Sequence, residues 1–96
     1  MTYRVEVRSG VSAYLRGLER ITREGRLAMI GFLDALRTYG DEARNICPRQ
    51  YPGSTVFVLR WTFDAGPAIR SLDLYVDDSE GHAGLLKILY ADLLPE

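Results

Sequence analysis

The stretch from Ser54 to Gly81, "STVFVLRWTFDAGPAIRSLDLYVDDSEG", predicts two β-strands joined by a Gly-Pro turn. Side chains alternate between the two faces of a strand. In the first strand, one face is apolar and carries Phe57, Leu59, Trp61 and Phe63, and the other carries Val56, Val58, Arg60 and Thr62. In the second, Leu72, Leu74 and Val76 oppose Ser71, Asp73, Tyr75 and Asp77. The pattern predicts a sheet with one face packed on a core and one face left partly open.

Outward from this hairpin, the N-terminal "TYRVEVR" also alternates strictly and predicts a half-buried strand. Apolar residues then recur at helical spacing and predict a first helix over about 11–23 and a second over about 26–39. Gly25 separates the two helices, although one continuous bent helix through it is also compatible with the sequence. Gly40 stands where a C-terminal cap is expected.

Two prolines and a glycine in "DEARNICPRQYPG" predict a loop over 41–53. "LLKILYADLL" supplies a last strand, whose orientation stays open because its alternation is blurred. The order β-α-α-β-β-β predicts an α+β domain of two layers: an N-terminal strand, a helical hairpin and an antiparallel three-strand meander. We expect Trp61 to be largely buried. The apolar face of its strand should pack against Leu15, Leu18, Phe32 and Leu36.

Length and composition predict one globular domain over 1–96. The chain has 96 residues, 47% of them hydrophobic and 26% charged, with a net charge of −1. Such a balance disfavours a general nucleic-acid binder, which is usually basic. No run approaches the roughly 18 apolar residues of a membrane helix, and the N-terminus has no signal-peptide core, so we expect a cytoplasmic protein without a membrane partner.

The lone Cys47 and the lone His82 disfavour zinc binding and cysteine catalysis, so we expect no metal and no cofactor. His82 lies in a Gly-flanked turn, where a solvated side chain is the commoner interpretation. Trp61 and Phe63 could stack on bases, but their shared face with Phe57 favours a core position. "DSEGHAG" is neither a P-loop nor a dinucleotide-binding fingerprint.

The candidate site is the open face around Arg60. In a meander, Asp73 and Tyr75 share that face, and Lys87 of the last strand joins them. Cationic and phenolic groups could bind a phosphodiester, stabilise its charge or supply a proton. The alternative is a solvated face on which Arg60 and Asp73 form an exposed cross-strand pair worth about 0.2–1 kcal/mol.

The same arrangement resembles the RelE/ParE superfamily of toxins from bacterial type II toxin–antitoxin modules. The resemblance rests on the "YRVEVR" strand, the helix ending "AMIGFLDALRTYG", and the meander "VFVLRWTF…SLDLYVDD…LLKILYADLL". Within it, "FVLRW" is similar to the family's strand that carries an active-face arginine. The resemblance therefore implies that Arg60 belongs to a catalytic face, with Lys87 and Tyr90 near the final strand.

A toxin of this family is either a ribosome-dependent mRNA interferase or a gyrase inhibitor. The resemblance thus implies a cognate antitoxin as partner, with the ribosome and its mRNA, or gyrase, as target. A homodimer is a further expectation for a small chain with an open sheet face. If the chain is an enzyme, the resemblance implies a metal-independent endoribonuclease.

Two observations predict weak or absent RNA cleavage. The chain ends in the acidic and apolar "YADLLPE", where ribonucleases of the family crowd basic and phenolic groups. No histidine is placed to act as a base, and Asp73, the remaining candidate, is a poor base if it pairs with Arg60. The catalytic candidates are therefore Arg60, Lys87, Tyr75, Asp73 and Tyr90. A non-catalytic protein-interaction domain on the same scaffold remains the alternative.

Overall fold

A computed structural model describes residues 2–19, 23–64 and 69–94. The strands are β1 (Arg4–Val7), β2 (Val56–Asp64), β3 (Ile69–Asp77) and β4 (Leu85–Leu93). The helices are α1 (Ser9–Glu19) and α2 (Arg23–Ile46), and a 3₁₀ turn, Gly81–Ala83, precedes β4. The order β-α-α-β-β-β is confirmed, and the chain forms an α+β fold.

One four-stranded mixed sheet has the order β1-β4-β3-β2. The last three strands form the antiparallel meander that alternation predicted, whereas β1 pairs parallel to β4. The two helices carry the chain from the β1 edge to the β2 edge and cover one face of the sheet. No helix within the described ranges is long and apolar enough to cross a membrane.

The core lies between α2 and the sheet. Its fully buried side chains come from both layers: Phe32, Leu36, Phe57, Leu72, Leu74, Val76, Leu86 and Ile88. The predicted facing of β2 and β3 is confirmed, because Phe57, Leu72, Leu74 and Val76 all point into this core.

Trp61 also lies on the helix-covered face, and its ring contacts Phe32 at a centroid distance of 4.5 Å. It is half-buried, so its burial is less complete than expected. The side chains of Leu15, Leu18 and Phe63, to which the same expectation assigned core contacts, lie outside the described part of the structure.

The predicted boundaries of the helices are wrong in two places. Gly25 does not separate the helices but lies inside α2, which begins at Arg23. Gly40 does not end α2, which bends at Tyr39 (φ −112°, ψ 25°) and continues to Ile46. Residues 41–46, predicted as loop, are therefore helical. The last strand also contains an irregularity opposite Tyr75 and Val76, where Leu89 is an additional residue in β4.

Gly40 is required for a different reason from the predicted cap. The ring of Tyr3 lies against its Cα, and a Cβ built there would come within 2.7 Å of the Tyr3 Cε2 atom and 3.2 Å of the Leu86 Cδ1 atom. Gly40 thus lets β1 and α2 approach closely. The absence of a side chain at this position is needed for packing and not for ending the helix.

Candidate functional site on the open sheet face

Arg60 and Asp73 face each other across β2 and β3 on the face that no helix covers. The Arg60 Nε donates to Asp73 Oδ1 at 2.8 Å, and Nη2 donates to Oδ2 at 3.0 Å. This is the bidentate geometry of the strong guanidinium–carboxylate pair. The Asp73 side chain is 6% exposed and that of Arg60 is 61% exposed. The guanidinium therefore covers the carboxylate, and hydrogen bonding to Asp73 raises the pKa of Arg60.

Two tyrosines lie beside this pair. Tyr75 and Tyr90 are directly opposite on β3 and β4, with ring centroids 5.5 Å apart and planes tilted by 59°. Tyr90 is 56% exposed. Together with Gln50, Val56 and Leu89 they line a shallow cavity of about 260 Å³. The patch is aromatic and hydroxylated, a composition that suits contact with another protein.

Lys87 shares the open face but belongs to a separate group of charges. Its ammonium contacts the Glu80 carboxylate, and its strand neighbours are Glu6 on β1 and Asp77 on β3. Hydrogen bonding to Glu80 raises the pKa of Lys87, with smaller contributions from Glu6 and Asp77. Asp77 in turn accepts hydrogen bonds from Thr55 and Ser79, each at 2.7 Å, which lower its pKa against the opposing effect of burial.

The structure thus brings four of the five predicted residues, Arg60, Asp73, Tyr75 and Tyr90, into one patch. It places the fifth, Lys87, among carboxylates farther along the sheet. Both cations predicted to bind a phosphodiester already have carboxylate partners. A cation stabilises the charge that develops in a transition state only if it is free to face that charge.

The remaining sequence candidates contribute no chemistry to this face. His82 lies exposed in the 3₁₀ turn. Cys47 is half-buried, and burial raises the pKa of its thiol, which favours the unreactive protonated form. Among the described residues, no group of three or more His, Cys, Asp and Glu side chains is arranged to hold a metal ion.

The sequence interpretation missed a second polar cluster, centred on Asp78 in the turn after β3. The Asp78 Oδ2 atom accepts from Arg44 Nε at 3.1 Å and lies 2.8 Å from Arg49 Nη1. Arg44 also donates to the Tyr3 hydroxyl at 3.0 Å, and that hydroxyl donates to Asp41. The cluster joins the end of α2 to the segment before β1, the segment before β2 and the turn after β3, so its role is structural.

Part of this cluster was readable in the sequence. "DEARNICPRQ" contains two arginines five residues apart, and "VDD" places two adjacent carboxylates at the end of the second strand of the hairpin. The sequence did not show that α2 continues through Arg44. This continuation forms the cluster, because the helix holds the Arg44 side chain over Gly81. A Cβ at Gly81 would lie 2.6 Å from the Arg44 Cζ atom.

These features define a class: a small α+β protein whose open sheet face carries a paired arginine and a tyrosine patch. Comparison with protein-family models, with curated proteins and with solved structures finds no match to this chain. The functional argument therefore rests on the geometry of the face.

Proposed function

We propose that the chain is a RelE/ParE-like toxin of a type II toxin–antitoxin module, with weak or absent mRNA interferase activity. The expectation of weak or absent cleavage is carried by one observation, the pairing of Arg60 with Asp73 and of Lys87 with Glu80. Three features support the RelE/ParE-like assignment: the order of elements, the helices on one side of the sheet and the arginine on the open face of β2.

RNA cleavage by 2′-hydroxyl attack needs a base, an acid and unpaired positive charge at the phosphorane. Tyr75 and Tyr90 can donate protons. Both Asp73 oxygens accept hydrogen bonds from Arg60 and the side chain is 6% exposed, which weighs against Asp73 as the base. The toxin would therefore act by binding its target, with a cognate antitoxin protein binding it in turn.

Two experiments test the proposal separately. The first is induced expression in a bacterial host, where we expect growth arrest that co-expression of the adjacent gene's product relieves. Absence of growth arrest at confirmed expression would contradict the toxin assignment. It would favour the second candidate, a non-catalytic protein-interaction domain, to which the patch of half-buried Tyr75 and exposed Tyr90 is suited.

The second experiment incubates the purified protein with ribosomes engaged on mRNA. We expect little cleavage by the wild type and no difference for Arg60→Ala. Arg37→Ala is the matched control, since Arg37 is an exposed arginine that pairs with Asp34 at 3.5 Å on the helical side. Robust cleavage that disappears only in Arg60→Ala would make Arg60 catalytic and overturn the binding mechanism.

Growth arrest without mRNA cleavage leaves two targets within the family resemblance, gyrase and the ribosome as a binding site. A supercoiling assay with purified gyrase distinguishes them. Inhibition that the adjacent gene's product reverses would assign the gyrase-inhibitor type.

A further inference from the structure

A groove of about 370 Å³ lies between α1 and β4. Helix α1 contributes Val11 and Tyr14 to its lining, and β4 contributes the run 89–92. Its walls are mainly aliphatic and aromatic, and its only charged lining residues among those described are Arg8 and Asp92. A cavity of this size, mostly apolar and with a few polar groups that fix orientation, is typical of a small-molecule site.

The Tyr14 side chain forms a fixed wall of this groove. Its hydroxyl accepts a hydrogen bond from the Leu93 N–H at 3.1 Å, which holds the ring against the edge of β4. Val11 is buried and Leu89 is half-buried in the same lining. A wall that is already ordered accepts an apolar group without the entropy cost of immobilising loose side chains.

Asp92 carries a negative charge that the described part of the chain does not neutralise. It lies directly opposite Asp73 on the open face, and both oxygens of Asp73 accept hydrogen bonds from Arg60. Asp92 itself forms no ion pair with any described residue. Like charges directly opposite each other in a sheet repel, so a ligand cation at Asp92 would relieve this repulsion. The Tyr90 ring, two residues earlier on the same face, can add a cation–π contact.

Arg8 carries the opposite charge at the other end of the groove. Its N–H donates to the Ile88 carbonyl at 3.1 Å, so Arg8 lies beside Leu89. Its side chain is exposed and forms no ion pair within the described ranges. Three residues along β4 lead from Leu89 to Asp92, about 10 Å at 3.3 Å per residue. The arginine side chain is long enough to lean toward Asp92, so the two charges suit a ligand whose own charges are less than about 10 Å apart.

We propose that this groove binds a small zwitterion whose ammonium and carboxylate are joined by an apolar spacer. The ammonium pairs with Asp92 beside Tyr90, and the carboxylate pairs with Arg8. The spacer packs on Val11 and Tyr14. A ligand of one charge alone leaves the opposite charge of the groove without a partner, so it binds more weakly. The inference goes beyond the proposed function and does not depend on it, because it concerns neither RNA cleavage nor the target of a toxin.

The test uses three probes that share one ring. 4-(Aminomethyl)benzoate carries both charges, benzylamine carries only the cation, and benzoate carries only the anion. Each is titrated at neutral pH into ¹⁵N-labelled full-length protein and followed by amide chemical shifts. We expect the zwitterion to shift the amides of Arg8, Val11 and Asp92 with a dissociation constant of about 1 mM. It should bind more tightly than either probe of single charge.

Two substitutions separate the contributions of the two charges. Asp92→Asn should weaken binding of the zwitterion and of benzylamine by up to about fivefold, the upper range for an exposed ion pair, and should leave benzoate unaffected. Arg8→Gln should weaken the zwitterion and benzoate by a similar factor and leave benzylamine unaffected. Asp34→Asn and Arg37→Gln are the matched controls, because they remove the same charges from an exposed pair on α2. Neither control should change the affinity of any probe.

Three outcomes would overturn the proposal. The first is no saturable shift of the groove amides at about 20 mM zwitterion, a concentration that nearly fills a millimolar site. The second is an affinity for the zwitterion no higher than that for the better of the two single-charge probes. The third is a loss in Asp92→Asn that is as large for benzoate as for benzylamine, which would show that the substitution acts through the shape of the groove and not through its charge.

Discussion

Replacement of Asp78 by asparagine tests whether the cluster at the end of α2 holds the fold together. The Asp78 side chain is 8% exposed, and its Oδ2 atom contacts Arg44 and Arg49. Asparagine keeps the shape and an acceptor oxygen but removes the charge that both guanidinium groups face. The backbone bonds of Asp78 to Thr55 and Gly81 are unaffected, so the substitution isolates the ionic contribution.

The expected loss follows from the burial of the three groups. Removing one partner of a buried ion pair costs about 3–5 kcal/mol. Here the arginine side chains are 31% and 32% exposed, so water solvates them when the carboxylate is lost and the cost falls to about 2 kcal/mol. For a domain of this size that corresponds to a decrease in Tm of roughly 10 °C.

Urea unfolding followed by circular dichroism measures this free energy. With a slope of about 1.5 kcal/mol per molar urea, the midpoint should fall by roughly 1.3 M at unchanged slope. Asp34→Asn is the control, because Asp34 forms an exposed pair with Arg37 and should lose less than about 0.5 kcal/mol. A loss for Asp78→Asn no larger than that of the control would refute a stabilising role for the cluster.

Further predictions concern two glycines and the tyrosine of the cluster. Gly40→Ala should destabilise the protein by about 1–3 kcal/mol because its Cβ would collide with the Tyr3 ring; Gly10→Ala, with nothing within 4 Å of the added atom, should be neutral or stabilise α1 by up to about 1 kcal/mol. An equal effect of both alanines in thermal unfolding would contradict this account of Gly40. The pKa of Tyr3 is raised, chiefly by its hydrogen bond to Asp41. The protonated Tyr3 hydroxyl therefore contributes its full stabilisation at pH values below about 10, the pKa of tyrosine in the unfolded chain. That stabilisation is lost as the pH rises through the higher pKa of Tyr3 in the folded protein. Tm measured from pH 8 to 11 should fall more steeply for the wild type than for Tyr3→Phe, and parallel curves would show that the hydroxyl carries no such linkage.

The facing of β2 and β3 was predictable because it depends on a local property. Alternation with period two is fixed by strand geometry, and the contrast between Phe57 or Leu74 and Arg60 or Asp73 is strong. This local pattern was sufficient to pair Arg60 with Asp73 across the hairpin.

The last strand shows why the same reasoning was incomplete for β4. Its core residues are Leu86, Ile88 and Ala91, with Leu93 packed against them. The spacing changes from two to three between Ile88 and Ala91, because Leu89 is accommodated as an extra residue at the irregularity. A single inserted residue exchanges the sheet faces to which all later side chains of the strand point. The alternation in the sequence is therefore blurred, although the strand is regular on either side of Leu89.

The Gly40 prediction failed because the deciding contact is distant in sequence. A glycine after a run of helical residues suggests a C-terminal cap, and nothing near Gly40 indicates otherwise. The residue that requires it is Tyr3, whose ring occupies the space of a Cβ. For the same reason, the helical course of 41–46 and the position of Arg44 could not be read from local composition.

The position of Arg60 on the open face was predicted from the sequence, whereas its pairing geometry bears on the role that the resemblance implies for it. Its place on the open face was predicted, and so were its neighbours Asp73 and Tyr75. The added information is the burial of Asp73, at 6% side-chain exposure. A carboxylate removed from water requires a charged partner, and Arg60 is that partner. Withdrawing Arg60 to bind a phosphate would leave the buried Asp73 carboxylate without its ion-pair partner, which carries a free-energy cost.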